Sequence, residues 1–268
     1  MLYLHCEYTR LLGILSAFKR YSIISLEEQR MPLSAIFTEA YYFFRNHIKQ
    51  LAALTVPLLL IQVALQFWLG REIRLMDIDH PEFGSGHMFA MMMLLLIFSL
   101  LISALTLYMQ CRSEGHQPSI TNILVSSLHF VPPLLLAAVF SGLAIMAPTM
   151  ILAAFGPFWV IGLLASVYIF ARLAYVNFMV VTERLTPLKA ISASFKFSGP
   201  LVFKTMTVLM LYIPLSLLGG AISAALHFAG IPVQIIVETV ISFFSLFVNV
   251  ALFRLYMVNR VFEQKKAA

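Results

Sequence analysis

The chain has 268 residues, 61% of them hydrophobic and only 11% charged, and its mean hydropathy is +0.91. An average soluble domain carries about 25% charged residues, so this composition excludes a water-soluble globule. The formal net charge of +6 does not indicate nucleic-acid binding, because the basic residues stand at the ends of apolar runs rather than clustered with base-stacking aromatics.

Six apolar runs indicate membrane spans. A helix needs roughly 20 apolar residues to cross a hydrocarbon core of about 30 Å. The runs that approach or exceed this length are 51–69, 88–108, 132–150, 157–181, 201–227 and 232–258. No charge separates the third run from the fourth, but the turn-forming residues Pro148, Gly156 and Pro157 favour two spans. The predicted fold is all-α: a polytopic helical membrane bundle of six transmembrane helices with short cytoplasmic amphipathic helices.

The distribution of Lys and Arg predicts the orientation of the bundle, because cytoplasmic loops of membrane proteins are enriched in these residues. Here they concentrate before the first span, in the second and fourth loops and after the last span. The first loop contains only Arg71 and Arg74, among four acidic residues. We therefore expect both termini in the cytoplasm, the first loop outside, and contact of the basic side with anionic lipid headgroups.

A proline-led amphipathic segment precedes the first, third and fifth spans. In the first of these, 32–51, Phe37 and Phe44 share one helical face with other apolar residues, while Arg45 and Lys49 fall mostly elsewhere. Such a helix either lies in the membrane surface or packs under the bundle as a cytoplasmic cap. Both alternatives stay open, and these four residues are the candidate membrane-surface contacts. The segments 118–131 and 186–199 suggest the same unit of one amphipathic helix followed by a two-span hairpin.

The sequences "YYFFRNHIKQ" at 41–50 and "LFRLYMVNR" at 252–260, together with the six spans, resemble the YciC-like family of uncharacterised inner-membrane proteins of Gram-negative bacteria. The resemblance covers 32–260 and implies a multi-pass protein of the inner membrane. Members of that family usually begin near the position of Met31. Residues 1–30 are therefore interpreted as an amino-terminal extension or a start codon chosen too early, residues 31–262 as one membrane domain, and residues 263–268 as a cytoplasmic tail.

A looser resemblance lies at 171–199. This segment is similar to part of the membrane domain attached to some glycerophosphodiester phosphodiesterases, with Arg172, Glu183, Pro187, Ala190 and Ser194 in comparable places. It implies a lipid-related role. It implies no catalytic residue, because the phosphodiesterase domain itself does not occur in this sequence.

Motifs of catalytic chemistry were not found. The sequence contains no G-x-S-x-G, H-E-x-x-H or C-x-x-C pattern and no phosphate-cradling glycine loop. In the first loop Asp77, Asp79, His80, Glu82 and His87 could ligate a divalent ion, but a solvated loop is the favoured interpretation. We predict no enzymatic activity, no metal and no cofactor.

Two ionisable residues inside the predicted spans, Arg172 and Glu238, are the candidate intramembrane polar site, because such residues are costly and commonly functional. At about 1.5 Å per residue, Arg172 lies about 22 Å below the start of the fourth span and Glu238 about 9 Å below the start of the sixth. A gap of roughly 13 Å predicts no direct pair. Arg172 is expected to reach the cytoplasmic surface, and the two residues to contribute independently.

These observations favour a non-enzymatic inner-membrane protein with a structural or envelope-maintenance role. The alternative is a transporter or channel for a small or lipid-like molecule, which predicts buried polar groups converging near mid-membrane. A membrane-embedded lipid enzyme would place such groups near one interface. Partners other than the lipid bilayer are left open, as is homo-oligomerisation.

Overall fold

The structure is a computed structural model that describes residues 32–75, 84–226 and 230–267, with side chains to Arg260. Within these ranges the chain is helical and forms no strand. Its α-helices are α1 (Leu33–Leu75), α2 (Ser85–Ser113), α3 (Ile120–Leu128), α4 (Val131–Ala153), α5 (Trp159–Leu173), α6 (Val176–Thr182), α7 (Pro187–Ser198), α8 (Val202–Leu209), α9 (Tyr212–Ala225) and α10 (Ile231–Ala267). The predicted extension 1–30 lies outside the described residues.

Six helical stretches are long and apolar enough to cross a membrane, which confirms the predicted all-α bundle. They are Leu33–Leu75, Ser85–Ser113, Val131–Ala153, Gly156–Thr182, Pro187–Ala225 and Ile231–Arg260. Successive stretches run in opposite directions, so the bundle has two ends. We call the end where α1 begins and where α10 passes Arg260 the proximal end, and the end with the α1–α2, α4–α5 and α9–α10 connections the distal end. The proximal end corresponds to the side that the sequence predicts to be cytoplasmic.

The first amphipathic segment is not a separate helix, contrary to the sequence prediction. It forms the first part of α1, which continues through the first span without a break for 43 residues, or about 64 Å. The only residue in α1 that disfavours a helix interior strongly is Pro57, and the helix accommodates it. No glycine or proline stands between Leu33 and Val56, so no stop signal ends the helix before the span. Helix α10 likewise runs past the predicted boundary at 262, to Ala267.

The fourth and fifth spans are each interrupted. The fourth breaks at Ala174 and Tyr175, between α5 and α6. The fifth breaks between α8 and α9, where the carbonyl of Met210 accepts the N–H of Ile213 at 3.1 Å. Pro214 has no N–H to donate to that carbonyl, which explains the tighter turn at this point. The third and fourth spans are separate, as predicted, and Gly156 turns the chain between them with a φ of 71°.

Small residues bring two of the spans close together. The Thr149 and Ser166 hydroxyls are hydrogen-bonded at 2.8 Å. A Cβ atom on Gly162 would lie only 2.6 Å from the carbonyl oxygen of Pro148, so α4 and α5 can meet there only because residue 162 is glycine. On the fifth span the small residues Ser216, Gly220 and Ala224 recur every fourth position, but all three are exposed, and the buried glycine of α9 is Gly219.

Candidate functional site at the proximal end

Arg172 of α5 is hydrogen-bonded to α7 both as a donor and as an acceptor. Its Nη2 donates a hydrogen bond to the carbonyl oxygen of Phe195 at 2.5 Å. Its own carbonyl accepts the hydroxyls of Ser194 at 2.7 Å and of Ser198 at 3.0 Å. The guanidinium also lies 5.3 Å from the centroid of the Phe195 ring and 5.8 Å from that of Tyr168. We call this set of contacts the Arg172 clasp.

The break in the fourth span explains why the clasp can form. In an uninterrupted helix the carbonyl of Arg172 would accept the N–H of residue 176, but α5 ends at Leu173. The serine hydroxyls of α7 take the place of that donor. At the other end, the guanidinium binds a carbonyl near the end of α7, where the helix dipole favours a cation. Arg172 and Ser194, two residues of the looser resemblance, are thus in direct contact.

Glu238 lies elsewhere in the bundle. It is partly buried on α10, within the distal part of the sixth span. The ion pairs within the described ranges do not join it to Arg172. Whether the two residues contribute independently to stability or function remains a prediction.

The beginning of α1 packs against α10 rather than standing free. Phe44 is buried, and its ring centroid lies 5.3 Å from that of Phe243. Phe37 is partly buried against the same core. Of the two alternatives for this segment, a membrane-surface helix or a packed cap, the burial of Phe44 fits the packed cap. Arg45 and Lys49 are exposed, so their contact with a membrane surface stays a prediction.

Two carboxylates at the proximal end are paired with arginines of α10. Arg254 Nε lies 2.5 Å from Glu39 Oε2, and Arg260 Nε lies 3.3 Å from Glu183 Oε1. The hydroxyl of Tyr256 also donates to Glu183 Oε1, at 2.5 Å. The pair of Glu39 and Arg254 ties the two ends of the chain's helical part together over 215 residues, and the contacts of Glu183 tie the end of α6 to α10. Sequence reasoning missed them, although Arg254, Tyr256 and Arg260 all stand in the stretch that carries the YciC-like resemblance.

Five cations at the same end are exposed. They are Arg45, Lys49, Arg184, Lys189 and Lys196. None of them takes part in an ion pair found within the described part of the chain. Glu39 and Glu183 are each paired with an arginine of α10, which leaves Glu114 as the exposed carboxylate among the described residues of this end. The exposed charge there is therefore predominantly positive.

Of the five candidate metal ligands in the first loop, the structure describes one. Asp77, Asp79, His80 and Glu82 lie outside the described residues. His87 lies within them, and its Nδ1 accepts the N–H of Gly84 at 3.1 Å while its ring stacks on Trp68. Among the residues that the structure describes, no group of three or more His, Cys, Asp and Glu side chains is placed to hold a metal ion.

Comparisons with protein families, with curated proteins and with solved structures give no match for this chain.

Proposed function

We propose that the protein is a non-enzymatic, multi-pass protein of the bacterial inner membrane that maintains the envelope, with both termini cytoplasmic. Its proximal end would face the cytoplasmic leaflet and attract anionic lipid headgroups. The resemblance of 32–260 to the YciC-like inner-membrane proteins supports the location. The looser resemblance of 171–199 to a membrane domain of lipid-degrading enzymes supports a connection with lipids.

The observation that carries the proposal is the unpaired positive charge at the proximal end. Lys189 and Lys196 of α7, like Arg45 and Lys49 of α1, are exposed at a bundle end where Glu39 and Glu183 are already paired. A basic side chain near an anionic membrane surface contributes about 1 kcal/mol of attraction. Several of them on one face therefore favour anionic over neutral lipid in the surrounding leaflet.

Lipid preference is the direct test. The purified chain would be reconstituted in bilayers of phosphatidylglycerol and phosphatidylcholine, and the enrichment of each lipid around it measured with spin-labelled lipids. We expect phosphatidylglycerol to be enriched, less so at high salt. The double variant Lys189→Gln, Lys196→Gln should lower the enrichment, whereas the matched variant Lys189→Arg, Lys196→Arg should keep it. Equal enrichment in all three proteins would refute headgroup attraction.

The envelope role needs a cellular experiment. Deletion of the gene should activate an envelope-stress reporter or change the lipid profile, and the native chain should restore both. A deletion strain with normal stress signalling and a normal lipid profile would contradict an envelope role.

Orientation can be tested separately. Alkaline phosphatase fused at Gly84, in the first loop, should be active outside the cytoplasm, and a fluorescent protein fused at Ala268 should fluoresce inside. A Gly84 fusion that is expressed but inactive would reverse the proposed orientation.

A second candidate function, a transporter or channel, is favoured by the interruption of the fifth span. Discontinuous helices expose backbone groups that many transporters use to bind substrate. The break lies at Met210 and Leu211, about nine residues after the start of α8, which is roughly 13 Å along the span. Ser99 of α2 is also buried, and its hydroxyl has no hydrogen-bond partner among the described residues. Solute flux into proteoliposomes that is abolished by Ser99→Leu but not by Ser216→Leu, an exposed serine of α9, would favour this function.

A further inference from the structure

A groove of about 590 Å³ opens at the proximal end between α3, the first turn of α4 and the turn that joins α6 to α7. Its polar lining consists of Ser126, His129, Arg184 and Thr186. The rest of the lining is apolar and includes Val125 and Pro133. The groove thus combines polar side chains with apolar ones, as a site for a lipid headgroup and the start of its acyl chains would require.

The formal charge in the groove is positive. Arg184 lines it, and no carboxylate does so among the described residues. Glu183, the neighbour of Arg184, is held by Tyr256 and Arg260. An adjacent, smaller groove of about 300 Å³ shares Arg184 and contains Glu114, which accepts a hydrogen bond from Gln110 and lies 4.0 Å from His116. The 590 Å³ groove therefore suits an anion rather than a zwitterion, whose ammonium group would find no carboxylate there.

Arg184 has an unusual backbone conformation. Its φ is 52°, and it is the residue other than glycine with a positive φ within the described ranges. This left-handed conformation is disfavoured for L-residues, whereas glycine adopts it freely. The Arg184 side chain is exposed, and no hydrogen bond or ion pair of it is found in the part of the chain that the structure describes. The turn ends α6, where the Leu185 N–H donates to the Met179 carbonyl at 3.5 Å, and glycine is the usual residue at such a position. Arginine there leaves its guanidinium exposed beside the groove, and residues other than glycine at positive φ cluster at functional sites.

The apolar wall continues beyond the groove. Val125 and Leu128 of α3 and Leu188 of α7 are 57%, 56% and 65% exposed beside it. From Pro133, α4 runs toward the distal end and exposes Leu136 and Phe140 along its length. An acyl chain lying along α4 would cover this surface while its headgroup occupied the polar end.

We propose that the groove is a binding site for one anionic phospholipid of the leaflet at the proximal end. Arg184 donates hydrogen bonds to the phosphate oxygens, and the guanidinium fork suits this role. His129 and the hydroxyls of Ser126 and Thr186 supply further donors. This inference rests on the membrane orientation of the proposed function, and it adds a defined site to the general attraction by surface charge.

Native mass spectrometry of the purified full chain in a neutral detergent can test the site. The chain would be titrated with short-chain phosphatidylglycerol, with short-chain phosphatidylcholine and with inorganic phosphate. We expect one saturable phosphatidylglycerol per chain. Arg184→Gly should weaken it about tenfold, the effect of losing one charged hydrogen bond. The unfolding temperature should stay the same or rise, because glycine relieves the turn. Arg184→Lys should retain most of the binding, and Arg71→Gln, an exposed arginine of the distal end, should retain all of it.

The outcomes separate this inference from the proposed function. Wild-type affinity in Arg184→Gly would overturn the groove site, while the effect of Lys189 and Lys196 on lipid enrichment would still decide the general attraction. Equal binding of phosphatidylcholine, or displacement of the lipid by an equal concentration of inorganic phosphate, would also overturn it. If Arg184→Gly lowered the unfolding temperature, the comparison of Arg184→Lys with Arg184→Gln, which share the strained backbone, would decide. Equal binding by those two would then count against the site.

Discussion

The proximal and distal halves of the bundle are packed in different ways. At the proximal end Tyr108, Tyr175 and Tyr256 are fully buried, and polar contacts connect helices that are distant in sequence. Toward the distal end α4 buries only Leu134 and Ala137, both in its first two turns, and α9 buries only Gly219. The two halves therefore differ in how much side-chain surface is buried within the chain.

The free energy gained by burying an apolar side chain differs between lipid and water. Between helices surrounded by lipid tails there is little hydrophobic driving force, because the tails are as apolar as the side chains, and close packing matters instead. Outside the hydrocarbon core, burial of an apolar side chain is favourable by about 25 cal/mol per Å². With a length of about 64 Å, α1 exceeds the hydrocarbon thickness of about 30 Å. Part of α1 must therefore extend beyond the hydrocarbon core. Phe44, near the beginning of α1, is buried against Phe243 and Phe247 of α10.

The largest effect should come from that buried aromatic residue. Phe44→Ala leaves a cavity among Phe243 and Phe247, and we expect the free energy of unfolding to fall by about 3–5 kcal/mol. The control is Phe140→Ala on α4, where the ring is 43% exposed and faces the surroundings in the folded bundle. That change should cost less than about 1 kcal/mol, because lipid solvates the site in either state. Unfolding by SDS in mixed micelles measures both; equal losses would remove the distinction between the halves.

The spans could be predicted from the sequence, but the tertiary contacts could not. Apolar length alone gives the six crossings, and Gly156 gives the split between the third and fourth. The continuity of α1 was also encoded, in the lack of any stop signal before Val56, but the amphipathic pattern was given more weight.

The candidate site was predicted only in part. Arg172 stands out because it is charged within a span. Its hydrogen-bond acceptor, however, is the backbone carbonyl of Phe195, a group that any residue type supplies. The pair of Glu39 and Arg254 spans 215 positions, and a single sequence holds no signal for such a distance. The positive φ of Arg184 could not be predicted from the sequence either, because glycine is the residue type that indicates such a conformation.

Close packing in the distal half can be tested at Gly162. An alanine there would bring its Cβ to within 2.6 Å of the Pro148 carbonyl oxygen and 2.8 Å of Thr149 Cα. Both are backbone atoms, so α4 and α5 must separate, and we expect a loss of about 2–3 kcal/mol. The control is Gly142→Ala on α4, where no atom lies within 4 Å of the added Cβ. That variant should gain up to about 1 kcal/mol in helix propensity. A tolerated Gly162→Ala would mean that the two helices can move apart freely.

The Arg172 clasp provides a test of the proximal half. Arg172→Met removes the charged hydrogen bond to Phe195 and should cost about 2 kcal/mol, whereas Arg172→Lys should recover part of that loss. Glu238→Gln should cost less than about 0.5 kcal/mol, since no ion pair holds Glu238 within the described ranges. In the double variant the two losses should add to within about 0.5 kcal/mol. A double variant as stable as the wild type would reveal coupling between the two residues and would strengthen the transporter alternative.

The smallest effect is expected on the exposed face of α9. Ser216, Gly220 and Ala224 recur every fourth residue, a spacing that in membrane proteins commonly marks a contact between helices, but all three are exposed in the part of the chain that the structure describes. A Cβ on Gly220 would have no atom within 4 Å. Gly220→Ala should therefore change the free energy of unfolding by less than about 1 kcal/mol, in the stabilising direction, as expected for a helical glycine facing lipid. The measurement should be repeated across a range of protein concentrations in the micelle. If Gly220→Ala destabilised the protein only at high concentration, the face would be buried between copies of the chain, and the open packing of the distal half would belong to the monomer alone.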